Sequence, residues 1–449
     1  MKLNSFQKIM KSWAALGPYN AAQAMCISGA PDTERWRAAI QLGVVSVGLG
    51  PARIKNGTAE FEPVSGIVLN TVEKNLAAQI EDEINLPFTS DQIPLRFSLI
   101  LEPNRYWLLV VYDHWVADSW SIRQLMHVLC AYYTGAEDAP KLRTCQTDFR
   151  STFRNRLGFS PVLTSVTTAA RQFFRHRLVW RLNLKDPLDF SAQILLRTFP
   201  DGLIQRLAKY AKTHGCTVND LFLATAAAAL GRHTLTRYDS RQGRWPFFKS
   251  GVGIGTIVDI RARADRPLSE VFGLYLSFCT LVLKQPEARP FIEVLDEVAR
   301  HTQRFKSRDE GVKFFCAINM TWMICRFYDK LRLHFSRGNS RFDRACSRSA
   351  TRAQATFFHR NSHVIAGISN VNLTGSWMHP GQSGPASPLP VVDYLRISPT
   401  GPLSPVVFAL TTIGPQMSLC FTWRKTALDQ YQAVALAADF MKTLEGLVT

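Results

Sequence analysis

The stretch Tyr106-Trp107-Leu108-Leu109-Val110-Val111-Tyr112 constrains this chain more than any other. It is apolar throughout and rich in β-branched and aromatic residues, as a strand covered on both faces must be. Such a strand sits inside a sheet with further layers packed on it. It runs directly into Asp113-His114-Trp115-Val116-Ala117-Asp118-Ser119. Beyond that, Ile122, Leu125, Met126, Leu129 and Tyr133 recur at helical spacing as far as Gly135, a helix stop. Another strand, at about 95–102, precedes the apolar one. The unit is strand, strand, turn and helix, with a histidine and an aspartate on the turn.

One such unit does not use up 449 residues, more than one compact core absorbs. With 46% hydrophobic and 20% charged residues, the chain has globular composition and apolar side chains for two cores. Residues 23–30 and 44–49 fit short strands around a helix near 32–42, and 70–84 fits an amphipathic helix. Residues 140–190 are basic and weakly periodic, a crossover between lobes. A helix beginning Leu203-Ile204-Gln205-Arg206-Leu207 is closed by His214-Gly215, and another opens at Thr217, where Asp220 completes a capping-box pattern. Its body, LFLATAAAALGRH, is apolar nearly all round and must be buried. A strand near 251–260, a helix at about 291–305, strands near 364–371, 405–412 and 416–423, and a helix at 427–447 follow. The stretch 310–360 is basic and aromatic and fits no single period. The expected fold class is α/β (α+β), with an N-terminal lobe at 1–150, a crossover at 151–190 and a C-terminal lobe at 191–449.

Charge narrows the partners. Lys plus Arg is 53 against 35 acidic residues, a formal net charge of +18 that draws anions. Cations interleave with aromatics over 171–181, and again over 324–344, where Arg326, Lys330, Arg332, Arg337, Arg341 and Arg344 lie among Phe, Tyr and Leu. An anionic membrane surface, coenzyme A phosphates and an acidic carrier protein all suit such stretches. Nucleic acid is not expected, because no recognition module is visible. The nine cysteines contain no CxxC pair, so neither a zinc site nor a disulfide framework is expected, and the thiols suit a reducing compartment. The first residues lack a signal-peptide core, and no apolar run reaches about 18 residues. A cytoplasmic protein, at most peripheral at a membrane, is expected. Gly251-Val252-Gly253-Ile254-Gly255 departs from GxGxxG and leads into a strand, not a helix, which excludes a dinucleotide loop.

The chemistry concentrates at His114 and Asp118. With 10 histidines in the chain, chance alone supplies about 0.4 HxxxD spacings, so context carries the weight. The histidine ends a buried strand and the aspartate starts a helix. A base on such a turn is rigid and faces a cleft.

This stretch resembles the HHxxxDG signature of peptide-synthetase condensation domains and wax ester synthases, and the HxxxD of BAHD acyltransferases. All are members of the chloramphenicol acetyltransferase-like superfamily. Asp113 replaces the first His and Ser119 replaces the Gly. The resemblance continues in order along the chain. PYNAAQAMCISGAPDTERWRAAIQL at 18–42 is similar to the opening strand and helix, and INLPFTSDQIPLRFSLI at 84–100 to the approach to the active-site strand. HGCTVNDLFLATAAAALGR at 214–232 resembles a hallmark of the second lobe, and GTIVDIRAR at 255–263 the strand carrying the family's arginine. Ser369-Asn370-Val371-Asn372 resembles the SNVPG region of wax ester synthases, with Asn372 in place of Pro.

The resemblance implies two similar lobes in a V around a central tunnel, and an acyltransferase acting by direct attack without an acyl-enzyme. His114 is the implied general base. Asp118 is turned from the substrate and pairs with Arg261, while Asp113 and Ser119 flank the turn. Ser369, Asn370 and the Ser119 backbone are the implied oxyanion or substrate contacts. No bound cofactor or metal is implied. The co-substrate is acyl-CoA or an acyl-phosphopantetheine. Acyl-CoA is the first expectation for a chain of this length without an attached carrier domain, and an acyl carrier protein the close alternative. The acceptor is an alcohol or an amine. A non-catalytic condensation-like module binding a carrier or lipid is the other alternative, and a monomer is expected.

Overall fold

The computed structural model describes residues 1–136, 141–144, 149–157, 167, 179–233, 251–337, 340–361, 364–374 and 389–448. Much of the expected crossover, including 171–178 of the first basic stretch, lies outside the described residues. The N-terminal half contains α1 (Ser5–Ala14), β1 (Asn20–Ser28), α2 (Thr33–Val47), β2 (Ala52–Lys55), β3 (Thr58–Phe61), β4 (Leu69–Val72), α3 (Leu76–Asn85), β5 (Leu95–Glu102), β6 (Arg105–Asp113), α4 (Ser119–Thr134) and β7 (Arg143–Thr144). Two short helices follow, α5 (Phe149–Thr152) and α6 (Arg154–Leu157). Next come β8 (Ala192–Thr198), α7 (Leu203–Thr213), α8 (Val218–Arg232), β9 (Gly251–Asp259), β10 (Val271–Phe272), β11 (Leu276–Lys284), α9 (Phe291–Ser307), α10 (Glu310–Ser336) and α11 (Arg341–Asn361). The chain closes with β12 (Ala366–Asn372), β13 (Val391–Ile397), β14 (Val406–Ile413), β15 (Gln416–Arg424) and α12 (Gln430–Gly446).

Two mixed sheets organise these elements into two lobes. The first runs β13-β1-β6-β5-β4, and the second β11-β9-β12-β14-β15-β8. The apolar strand β6 is central, antiparallel to β1 (Asn20 opposite Asp113) and to β5 (Leu95 opposite Tyr112). Alternate β6 residues serve different cores. Tyr106, Leu108, Val110 and Tyr112 join Trp36, Ile40, Val44, Leu125 and Leu129 of α2 and α4. Trp107, Leu109 and Val111 join Ala192, Ile194, Leu395, Ala409 and Cys420, a cluster that ties the first lobe to the second. Both faces are therefore covered, as the unbroken apolar run required. The second lobe has its own core, in which α8 is buried along nearly its whole length. The Thr217–Asp220 capping box that starts α8 is formed.

Several elements differ from the sequence expectation. Residues 44–47 continue α2 instead of forming a strand, and Gly48 ends the helix at φ 77°. Trp36, Ile40, Val44 and Val47 share one buried helical face, so tertiary packing overrides the strand preference of valine. The helix expected over 70–84 divides into β4 and α3, because the Asn75 side chain accepts from the amides of Ala77 and Ala78 and caps the helix there. The stretch 310–360 forms the long helices α10 and α11. Helix α1 and strands β8, β11 and β13 lie where the sequence pattern signals no element of that kind. Strand β13 also departs from the expected C-terminal lobe. It pairs antiparallel with β1 and completes the first sheet, covering what would otherwise be an apolar open edge. Among the described residues, no helix is long and apolar enough to cross a membrane.

Candidate active site

The turn after β6 is held from three directions. The Val116 amide donates to the Asp113 carbonyl at 3.0 Å, and the His114 amide to Tyr19 at 3.2 Å. Helix α4 is capped at its start by Asp118, whose side chain accepts from the Ser121 amide at 2.9 Å, and at its end by Gly135 with φ 73°. Helix α1 supports the turn from behind. Gln7 donates to the Trp115 carbonyl at 3.0 Å, and Lys11 Nζ lies 3.3 Å from Asp113 Oδ2. Asp113 also accepts from the Trp115 indole at 2.7 Å. Its carboxyl is buried, and burial pushes its pKa up against the opposing pull of Lys11. Asp113 therefore faces α1 and does not line the cavity described below.

The His114 ring is buried between Tyr19 and Tyr112, with centroids at 5.8 and 5.6 Å. Its Nδ1 lies 3.0 Å from the Ala117 carbonyl. A carbonyl can only accept, so Nδ1 carries the proton of the neutral ring and Nε2 keeps its lone pair. Burial lowers the pKa of the ring to about 4, with Arg396 adding and Ala117 and Asp118 opposing. The unfolded ring takes a proton near 6.5, so the stability contributed by a neutral His114 is complete above that pH and is lost as pH falls through about 4. An NMR titration of labelled histidine is expected to show this imidazole neutral down to about pH 5. A midpoint near 6.5 would contradict the assignment.

Asp118 is fully buried and turned from the cavity. Arg261 Nη1 lies 2.8 Å from Oδ2, Nη2 donates to Oδ1 at 3.0 Å, and the Tyr275 amide donates to Oδ2 at 2.8 Å. Arg261 follows β9 in a short 3-10 turn rather than lying within the strand. Its guanidinium sits 4.3 Å from the Trp120 ring and donates to Ser121 Oγ at 2.9 Å. This ion pair pins the start of α4, in the first lobe, to the β9–β11 region of the second.

A cavity of about 320 Å³ lies between the lobes. This is at the lower end of the range for small-molecule sites. Its walls are mostly apolar, with Phe6, Met10 and Trp13 of the unanticipated α1 among them. His114, Ser119, Ser369 and Asn370 all line it, while Asp113, Asp118 and Arg261 stand behind the wall. The structure thus brings together the residues expected from two distant segments. It adds Arg396 of β13, which is buried and donates through Nε to Ser119 Oγ at 2.8 Å and through Nη2 to Ser369 Oγ at 2.6 Å. Burial lowers the pKa of Arg396 to about 10. Both hydroxyls accept from one guanidinium, which leaves each O–H available to donate elsewhere. Arg123, on α4 one turn beyond Ser119, also lines the cavity. The sequence signal is a lone cation among mostly apolar residues, Tyr-Leu-Arg-Ile for Arg396 and, with Gln124 beside it, Ile-Arg-Gln-Leu-Met for Arg123.

No protein-family model matches the sequence. CymA of Salinispora arenicola, named as a probable non-canonical nonribosomal peptide synthetase, is 28% identical over 326 residues, covering 67% of this chain. The chain spans 4% of the length of that protein. Among solved structures, the first condensation domain of the calcium-dependent antibiotic synthetase, bound to a substrate analogue, is similar over 99% of this chain and 96% of its own, at 15% identity and a TM-score of 0.67. The condensation domain of the monacolin K polyketide synthase MokA is similar over 100% and 97%, at 12% identity and a TM-score of 0.64. The cyclization-docking bidomain of EpoB from Sorangium cellulosum is similar over 100% and 84%, at 12% identity and a TM-score of 0.63. The fold is the two-lobed chloramphenicol acetyltransferase-like fold. Within that class, it is the fold of the condensation domains of nonribosomal peptide and polyketide synthases.

Proposed function

We propose that this chain performs condensation-type acyl transfer, with His114 as general base. The observation that carries this is the fixed tautomer of His114 on the cavity wall: Nδ1 is held by Ala117 and Nε2 is left basic. An acceptor amine or hydroxyl attacks the thioester carbonyl, and its proton passes to Nε2 as the new C–N or C–O bond forms. The carbonyl electron pair moves onto oxygen, where the Ser119 and Ser369 hydroxyls, each tied to Arg396, are placed to donate. Collapse of this intermediate breaks the C–S bond, and the departing thiolate takes the proton back from His114. Asp118 and Arg261 act by positioning the turn. Near pH 7 the buried ring is neutral, so its Nε2 lone pair is free when the acceptor arrives, while the lowered pKa makes it a weaker base than a free imidazole.

The donor we favour is an acyl group on the phosphopantetheine of a carrier protein, ahead of acyl-CoA. The likeness to synthase condensation domains supports it. So does an exposed face on α10 and α11 where Met323, Phe327, Leu333 and Phe342 lie among Arg326, Lys330, Arg337 and Arg344, a mixed surface suited to an acidic protein. Matched acyl-CoA and acyl-carrier donors, compared at equal concentration with a pool of amines and alcohols, test this choice. The expected result is a kcat/KM at least about tenfold higher for the carrier, falling as salt rises. Equal use of both donors, or a preference for CoA, would overturn it. The same face suits anionic lipid, and sedimentation with phosphatidylserine vesicles would reveal that contact separately.

A further inference from the structure

Two arginines reach the cavity, and among the described residues neither is paired with a carboxylate. Arg123 is 8% exposed, and its Nε and Nη1 are buried with no hydrogen-bond partner among the described residues. Arg396 is 4% exposed, and its hydrogen-bond partners among the described residues are neutral oxygens of Ser119, Ser369 and Leu410. The nearby carboxylates are otherwise engaged. Asp118 is held by Arg261 at 2.8 Å, and Asp259, which also lines the cavity, lies 3.5 Å from Arg261 and accepts its amide at 2.8 Å. Among the described residues, Arg123 and Arg396 on the cavity wall and Arg261 behind it thus stand with two aspartates, Asp118 and Asp259, leaving one positive charge in surplus. Two guanidiniums against apolar walls repel each other and are poorly solvated, an arrangement that an entering anion relieves. Burial lowers the pKa of each, and the charge of Arg123 lowers that of Arg396 further.

We infer that the substrate entering this cavity carries a carboxylate, bound by the free donors of Arg123 with Arg396 beside it. A single surplus charge matches a monoanion better than a dianionic phosphate. Guanidinium offers the planar fork that a carboxylate accepts. The inference deepens the acyl-transfer proposal by naming a substrate class, and it predicts binding independently of turnover. The carboxylate can belong to the acceptor, as in an amino acid, or to the far end of the acyl group, as in a dicarboxylic half-thioester.

Calorimetric binding to the intact protein tests both sources. One arm compares N-acetylphenylalanine with N-acetylphenylalaninamide. The other compares succinyl-pantetheine with succinamyl-pantetheine. In one arm the acid is expected to bind roughly 10–100-fold tighter than its neutral partner, which assigns the carboxylate to acceptor or donor. Arg123→Met is expected to lose that preference and to unfold at no lower a urea concentration, because an unpaired buried charge gives way to an apolar chain of similar length. Should Arg123→Met fail to fold, Arg123→Gln carries the same comparison. His114→Gln is expected to keep the preference, so a catalytic failure and a binding failure are distinguishable. Equal binding of acid and amide in both arms of the wild type, absent binding included, overturns the inference, and so does a preference that survives loss of the Arg123 charge.

Discussion

Replacing His114 by glutamine is expected to lower acyl transfer roughly 10²–10⁴-fold while leaving the fold intact. Glutamine can keep a donor near the Ala117 carbonyl, so the turn between β6 and α4 retains its 3.0 Å contact in kind. What disappears is the basic nitrogen on the cavity wall. The size of the loss follows from that nitrogen's one proposed task, removing a proton from the attacking acceptor. Substrate binding depends on other groups, so the loss is expected in kcat more than in KM. The wild-type rate is expected to stay flat down to about pH 5, because the ring charges only near 4. A His114→Gln enzyme retaining more than a tenth of wild-type kcat would remove the base from the mechanism.

Arg261→Met is expected to cost about 3–5 kcal/mol of folding stability, a large fraction of what a protein of ordinary stability has. The substitution leaves Asp118, fully buried, with its backbone donors Ser121 and Tyr275 but without the guanidinium that meets both its oxygens. The cost falls on the join between the lobes, because Arg261 follows β9 while Asp118 caps α4. Adding Asp118→Asn to Arg261→Met removes the stranded charge and keeps a capping side chain, so the double variant is expected to recover part of the loss. Urea titration of the wild type, the two single variants and the double variant measures this. A loss under about 1 kcal/mol for Arg261→Met would mean that the pair behaves like an exposed ion pair and does not hold the lobes.

How much could be foreseen differs sharply between elements. Strand β6, the turn and α4 were legible because an unbroken apolar run, a helical stripe and a terminal glycine all specify the same structure. The pairing of Asp118 with Arg261 was legible only through family resemblance, since 143 residues separate the partners. Strand β13 is not legible in the sequence because its burial comes from β1, more than 350 positions away, and nothing local to Val391–Ile397 announces that partner. With the strand went Arg396, the residue that links Ser119 to Ser369. Helix α1 is hidden for a related reason: it buries Ile9, Met10 and Trp13 against elements far along the chain, and Lys11 and Gln7 find their partners only once the turn is formed.

The most direct test of the central claim follows one acyl group on one carrier. An acyl-loaded carrier protein is incubated with the purified chain and a pool of amines and alcohols, and the carrier mass is read at intervals by intact-protein mass spectrometry. The account predicts acceptor-dependent loss of the acyl group with the wild type, a matching acylated product, and no loss above background with His114→Gln. Loss of the acyl group at the same rate with both proteins would contradict the role of His114, and no loss from any carrier or coenzyme A donor would contradict acyl transfer itself.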